Sequence, residues 1–294
     1  MDLIININKP SGITSFQAVT KVKRIFGVRK AGHTGTLDPM ATGVLLVCLG
    51  EATKVSRFLL DMDKKYRARV KLGERTDTCD SEGRVVERKD ASSVTEDQLI
   101  KVVKTFEGEI TQRPPMYSAV KVHGERLYKL ARKGIEIDRP VRRVSVYDLK
   151  VTAMQLPYFD MEVSCSKGTY IRTLCDDIGA VLGPGAHLVA LERTAVGFFD
   201  IANAVSLNEL QSDACQTACK KAFYSLDEAL SELKEIVMEQ NDYEKAKNGV
   251  AIKSLTFNDL ALGSFVRLKS PSGQLFGIGT VDKEYVRIER ILNL

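Results

Sequence analysis

Residues Ala31 to Gly43 read Ala-Gly-His-Thr-Gly-Thr-Leu-Asp-Pro-Met-Ala-Thr-Gly, and the chain then turns apolar from Val44 to Leu49. No other stretch restricts the fold so closely. Gly32, Gly35 and Gly43 permit backbone angles and close approaches that other residues resist. Pro39 biases Asp38 away from helical angles, and the apolar run has the length of a buried strand. A stiff loop feeding such a strand fixes the Asp38 carboxylate at the strand's mouth. There it is either aimed at a substrate or part of an ordinary tight turn, and the residues alone leave both open. The chain has 294 residues and is 44% hydrophobic, enough for one large domain or a large domain with a smaller one.

Leu3 to Ile7 reads as a strand and Lys9-Pro10-Ser11-Gly12 as a turn. Thr14 and Gln17 form a capping box for a helix whose apolar face is Phe16, Val19, Val22 and Phe26, surrounded by Lys21, Lys23, Arg24, Arg29 and Lys30. From Lys64 to Gly73 the residues alternate, with Tyr66, Ala68, Val70 and Leu72 inward and Arg67, Arg69 and Lys71 outward. This predicts a half-buried strand with a basic outer face. Thr95 and Gln98 cap a second helix, with Leu99, Val103 and Phe106 inside and Gly108 at its end.

Pro114-Pro115 then rules out a continuous helix. Beyond it Lys121, His123, Arg126, Lys129, Arg132, Lys133, Arg139, Arg142 and Arg143 crowd together, with Tyr117 and Tyr128 among them. Basic residues interleaved with aromatics suit a nucleic-acid contact, although an ordinary charged surface has the same composition. Phe159 to Cys165 alternates as a strand running into Ser166-Lys167-Gly168-Thr169-Tyr170-Ile171-Arg172, a strand-to-helix junction that can orient a phosphate. Residues 200 to 240 are polar and helical in patches, including Leu226, Leu230, Leu233 and Val237. Past Gly249, short apolar runs at 265–268, 275–278 and 285–288 alternate with glycines and suggest a small β domain.

Lysine and arginine outnumber acids 43 to 38, an excess that permits an anionic partner without naming it. The cysteines form no CxxC pair, and free thiols in a reducing compartment are expected. Cys215 and Cys219 share a helical spacing but lack the partners of a zinc set. Asp176, Asp177 and His187, together with His33 and Asp38, invite a metal site whose convergence a sequence does not display. The N-terminus lacks the pattern of a signal peptide and no run reaches membrane-spanning length, so a cytoplasmic protein without membrane contact is expected.

Several blocks together resemble the TruB type of bacterial tRNA pseudouridine-55 synthases. They are Lys9 to Ser15, the Gly32 to Gly43 loop, Asp63 to Tyr66, Leu72 to Thr78, Pro115 to Lys121, Ser166 to Arg172 and Gly185 to Leu188. The resemblance implies an α+β fold: a pseudouridine synthase core with a central mixed, mainly antiparallel sheet, plus a small C-terminal PUA-like β domain. Residues 1–240 would form the catalytic domain, with a 112–143 insertion contacting RNA, and 241–294 the RNA-binding PUA-like domain. The implied reaction isomerises uridine 55 in the T-loop of tRNA to pseudouridine, with no cofactor or metal and no obligate protein partner. Neither a dinucleotide fingerprint nor a P-loop is present.

Carried over position by position, the resemblance makes Asp38 the essential carboxylate and Arg172 its partner. Tyr66 becomes the ring that stacks on the target base, Leu191 a pocket wall, and His33 a residue near the extruded nucleotide. Lys9, Lys64, Lys121, Lys167 and Arg193 become positioning or phosphate-contact residues. The competing readings are a noncatalytic RNA-binding protein on the same scaffold and a metal-dependent nucleic-acid enzyme. The first would be signalled by loss of Asp38, Tyr66 or Arg172, and all three are present.

Overall fold

A computed structural model describes residues 1–118, 120–122, 124–212, 219–253 and 260–294, without the side chains of Lys121, Arg126, Tyr128 and Arg132. Its centre is a mixed sheet whose main path runs Val205–Ser206, Leu3–Lys9, Thr42–Leu49, Ala186–Val196, Lys64–Leu72, Tyr158–Cys165, Arg142–Gln155 and Gly108–Gln112. Most neighbours are antiparallel. Thr42–Leu49 and Ala186–Val196 run parallel, in the middle of the sheet. Helices Ser15–Ile25, Glu96–Lys104 and Ile171–Leu182 bury their apolar stripes in the core cluster that holds the inward residues of these strands.

The local signals form as expected where partners are near in sequence. Both capping boxes are made, Thr14 with Gln17 and Thr95 with Gln98. Lys64–Leu72 alternates as anticipated, with Ala68, Val70 and Leu72 buried and Arg67 and Arg69 exposed. The first helix departs from expectation. Its buried residues are Ser15, Ala18, Val19 and Val22, while Phe16 is 74% exposed. The Ser15 hydroxyl draws the stripe one position back, donating to the Leu37 carbonyl at 3.0 Å and accepting from the Leu37 amide at 2.8 Å. The outer face of Lys64–Leu72 is basic as expected, and three of its cations meet acids. Arg67 pairs with Glu162 and Glu192, Arg69 with Asp160, and Lys71 with Glu74.

The C-terminal part is a curled five-stranded half-barrel of the PUA-like kind, ordered Lys234–Val237, Phe265–Lys269, Leu275–Asp282, Tyr285–Ile291 and Ile252–Lys253. Its first strand contains Val237, which the helical reading of that region had misplaced. Leu275, Ile278 and Leu292 share a buried cluster with Ile4, Val44 and Leu46 of the central sheet. Arg57 pairs with Glu289 at 2.7 Å beside an edge-on contact of Phe58 with Phe265. The half-barrel is therefore packed onto the core. No helix among the described residues is long and apolar enough to cross a membrane.

Candidate active site

Asp38 sits in an irregular loop between strands Ala31–His33 and Thr42–Leu49. Five residues hold that loop. The buried Lys9 ammonium donates to the carbonyls of Pro10, Ile13 and Pro39 at 2.8, 2.9 and 3.3 Å. The Gly12 amide donates to Pro39 at 2.9 Å, the Ser11 hydroxyl to Met40 at 3.0 Å, and Ser15 bridges Leu37. Arg193, 2% exposed, donates from Nε to the Val44 carbonyl at 2.7 Å and from Nη2 to Gly35 at 3.1 Å. Of the three loop glycines, Gly43 has the least freedom to change. At its φ of +101°, an added Cβ would lie 2.2 Å from the Arg193 carbonyl oxygen, so glycine alone lets the two parallel strands close here.

Arg172 is the second residue of helix Ile171–Leu182 and only 5% exposed. Its guanidinium grips Asp38 with two donors, Nε to Oδ2 at 2.9 Å and Nη2 to Oδ1 at 3.2 Å, the forked geometry that favours a fixed carboxylate. The same group reaches Asp80 Oδ2 at 3.1 Å and the Tyr117 carbonyl at 2.8 Å. Asp80, itself buried, also accepts from the Thr78 hydroxyl at 2.6 Å and the Glu82 amide at 3.1 Å. One arginine thus serves two carboxylates, one wholly internal and one whose side chain keeps 33% of its exposure. Burial pushes the Asp38 carboxyl above its ordinary value, and the Arg172 charge opposes that push.

Sheet register brings the next group together. Tyr66 lies opposite Arg193, Arg193 opposite Gly43, and Leu191 opposite Ala68. Tyr66, Leu191 and Arg193 therefore share a sheet face. Burial raises the Tyr66 hydroxyl above its ordinary value, the wrong direction for a base at neutral pH, while the nearby Arg193 guanidinium works against that rise. Burial and the Arg193 charge pull the His33 imidazole below its ordinary value, and its buried Nδ1 has no hydrogen-bond partner among the described residues. Asp38, Arg172, Lys9, Arg193, Tyr66, His33 and Leu191 thus converge.

The other expected residues are dispersed. Lys64 donates to the Leu60 and Met62 carbonyls, and burial pulls it down to about 8. Lys167 is exposed and pairs with Asp61 at 2.8 Å. The side chain of Lys121, like His123 and Cys215, lies outside the described residues. The residues considered for a metal go elsewhere: Asp176 pairs with Arg75 at 2.8 Å, and His187 Nδ1 faces the Glu74 carbonyl at 3.1 Å. Among the described residues no three His, Cys, Asp or Glu side chains form a metal-binding group. A cavity of about 550 Å³ opens at the Leu72 end of Lys64–Leu72, the end away from Tyr66.

Sequence reasoning missed Asp80 and the Tyr117 carbonyl. Thr76 to Gly83 reads as a polar turn, and nothing in it signals an arginine 92 positions from Asp80.

A mixed central sheet thus carries an arginine-clamped aspartate beside a half-buried tyrosine, with a PUA-like half-barrel attached, and comparison with known proteins gives its class, the pseudouridine synthases. The family model "TruB family pseudouridylate synthase (N terminal domain)" matches residues 23–171, and "tRNA pseudouridylate synthase B C-terminal domain" matches 172–238. The tRNA pseudouridine synthase B of Clostridium tetani (strain Massachusetts / E88) is 44% identical over 292 residues, 99% of this chain and 100% of that one. That of Haemophilus influenzae (strain 86-028NP) is 42% identical over 295 residues, 99% of this chain and 95% of that one. Among solved structures, a chain of an H/ACA RNP bound to a substrate RNA containing 2′-deoxyuridine superposes with a TM-score of 0.76 at 25% identity. That match covers 99% of this chain and 85% of the other. The chain belongs to the TruB family of pseudouridylate synthases, and it is an isomerase.

Proposed function

We propose that this isomerase converts the uridine at position 55 of the tRNA T-loop to pseudouridine, with Asp38 as the essential carboxylate. The observation that carries the reading is the forked grip of Arg172 on an Asp38 that is still one-third exposed. Relatives named for action on tRNA supply the substrate class.

The bond from ribose C1′ to uracil N1 breaks, the base turns, and C1′ bonds to C5. The C5 proton leaves and N1 takes up a proton, so atoms balance without oxidation, hydrolysis or a cofactor. Ionised Asp38 serves this by attacking C1′, attacking C6, or taking a ribose proton, and its fixed placement lowers the entropic cost in each case. Arg172 keeps it charged and aimed. Tyr66 stacks on the uracil with its proton retained, and Leu191 packs the base from the side. His33 fills the space that the base vacates.

Lys9 and Arg193 act by positioning, because their donors are taken up by the carbonyls of the Asp38 loop and of the strand that follows it. Lys64 braces the turn before Tyr66 in the same way. Lys121 and Lys167 are assigned to phosphates. Extruding a base costs a few kcal/mol, which contacts from the 112–143 insertion and the C-terminal half-barrel offset. The enzyme needs no obligate protein partner and acts in the cytoplasm.

Purified protein incubated with unmodified tRNA, followed by pseudouridine mapping at nucleotide resolution, tests the proposal. Conversion of the T-loop uridine is expected, in the presence of a chelator as in its absence. Modification at other positions with the T-loop untouched overturns it.

A further inference from the structure

The outer face of the first helix, Ser15–Ile25, is not used by any role assigned above. Phe16 has the highest fractional exposure of the large hydrophobic side chains on the described surface, 74%. A lone exposed phenylalanine needs no explanation. Three features set this one apart. It directly follows Ser15, whose hydroxyl is bonded both ways to Leu37, the neighbour of Asp38, so the ring stands on a rigid edge of the Asp38 loop. It shares its helix stripe with Thr20 and Lys23, four and seven residues on, with Arg24 beside the stripe and Lys21, three before Arg24, further round. Finally, Lys21, Lys23 and Arg24 are exposed and meet no carboxylate among the described residues.

We infer that this face is a docking track for the substrate RNA. Phe16 stacks on an unpaired base next to the extruded uridine, and Lys23, Arg24 and Lys21 take the phosphates that follow. Base-on-aromatic stacking tolerates any base, since each has a π-face. Lys23 lies about 10 Å from Phe16 along the helix axis, a span of roughly three phosphates on a stacked strand. The free positive charge complements that strand. The inference rests on the RNA substrate proposed above and adds a contact surface to it.

The test measures binding of unmodified tRNA across a salt series, alongside single-turnover pseudouridine formation at saturating protein. Phe16→Ala is expected to raise Kd about 5- to 150-fold, the range for loss of one stacked base. Phe16→Trp should bind as the wild type does. Lys21→Gln, Lys23→Gln and Arg24→Gln combined should flatten the slope of log K against log salt by about 2. The saturated rate should hold in all of them. Removing an exposed ring spares the core, and an unchanged Tm confirms that each variant is folded.

Kd within twofold of wild type for Phe16→Ala, together with an unchanged salt slope for the triple variant, overturns the inference. So does an oligomer that Phe16→Ala dissociates without altering RNA affinity, because the face would then join copies of this chain. If the wild type binds tRNA through this face yet leaves the T-loop uridine unmodified, the inference stands and the proposed reaction falls.

Discussion

Cations on the inside of this molecule and cations on its first helix are used in opposite ways. Around Asp38, Arg172 is shared between two carboxylates, while Lys9 and Arg193 donate to loop carbonyls. On strand Lys64–Leu72 even the exposed Arg67 and Arg69 face acids on neighbouring strands. On helix Ser15–Ile25, Lys21, Lys23 and Arg24 meet no acid among the described residues. A positive residue is therefore informative about RNA only after its internal partners are known. The modest excess of 43 basic over 38 acidic residues conceals a very uneven distribution of unspent charge.

The comparison predicts a graded series of effects. Arg172→Gln should be the most severe of the substitutions among these cations, because it strands a buried Asp80 and releases Asp38. Chemical denaturation should show a loss of about 3–5 kcal/mol. The pH–rate profile sharpens this. Asp38 is already held above the ordinary 3.8 by burial, so the acid limb of single-turnover activity should lie above that pH. Weakening Arg172 as Arg172→Lys should move the limb higher still, since an opposing charge that favours the carboxylate has been diminished. A limb at or below 3.8 in the wild type contradicts the account.

Lys9→Met comes next. It leaves the carbonyls of Pro10, Ile13 and Pro39 without their shared donor, for about 2–4 kcal/mol of stability and a slower chemical step at unchanged tRNA affinity. Loss of affinity with no loss of rate would make Lys9 an RNA contact and break the contrast. Neutralising the helix cations should do the reverse, weakening binding and sparing stability. The smallest effect is expected for Arg67→Gln with Arg69→Gln, within about 1 kcal/mol of stability and without change in RNA affinity. A large drop in affinity there would show that paired strand cations still serve the RNA.

Legibility in the sequence followed the range of the forces involved. The capping boxes at Thr14 and Thr95 and the alternation from Tyr66 to Leu72 depend on neighbours a few residues apart, and they could be read directly. The Asp38 loop was recognisable because its glycines and proline constrain the backbone on the spot. Asp80 was invisible because its partner sits on a helix far along the chain. The acids that pair with Arg67 and Arg69 come from distant strands, so the basic face was legible and its pairing was not. Phe16 fits an apolar spacing, but the hydrogen bonds of Ser15 to Leu37 rotate the helix and turn the ring outward. His187 was considered with distant residues for a metal, and the pairing of Ala186–Val196 with Lys64–Leu72 instead makes it part of a strand.

The role of Asp38 is tested most directly through the proton that the reaction must release from C5. With tRNA tritiated at uracil C5, tritium release and tRNA binding can be followed in parallel for the wild type and Asp38→Asn. The account predicts near-normal binding by the variant with tritium release reduced about 10⁴-fold or more. Release at a rate comparable to the wild type would contradict it.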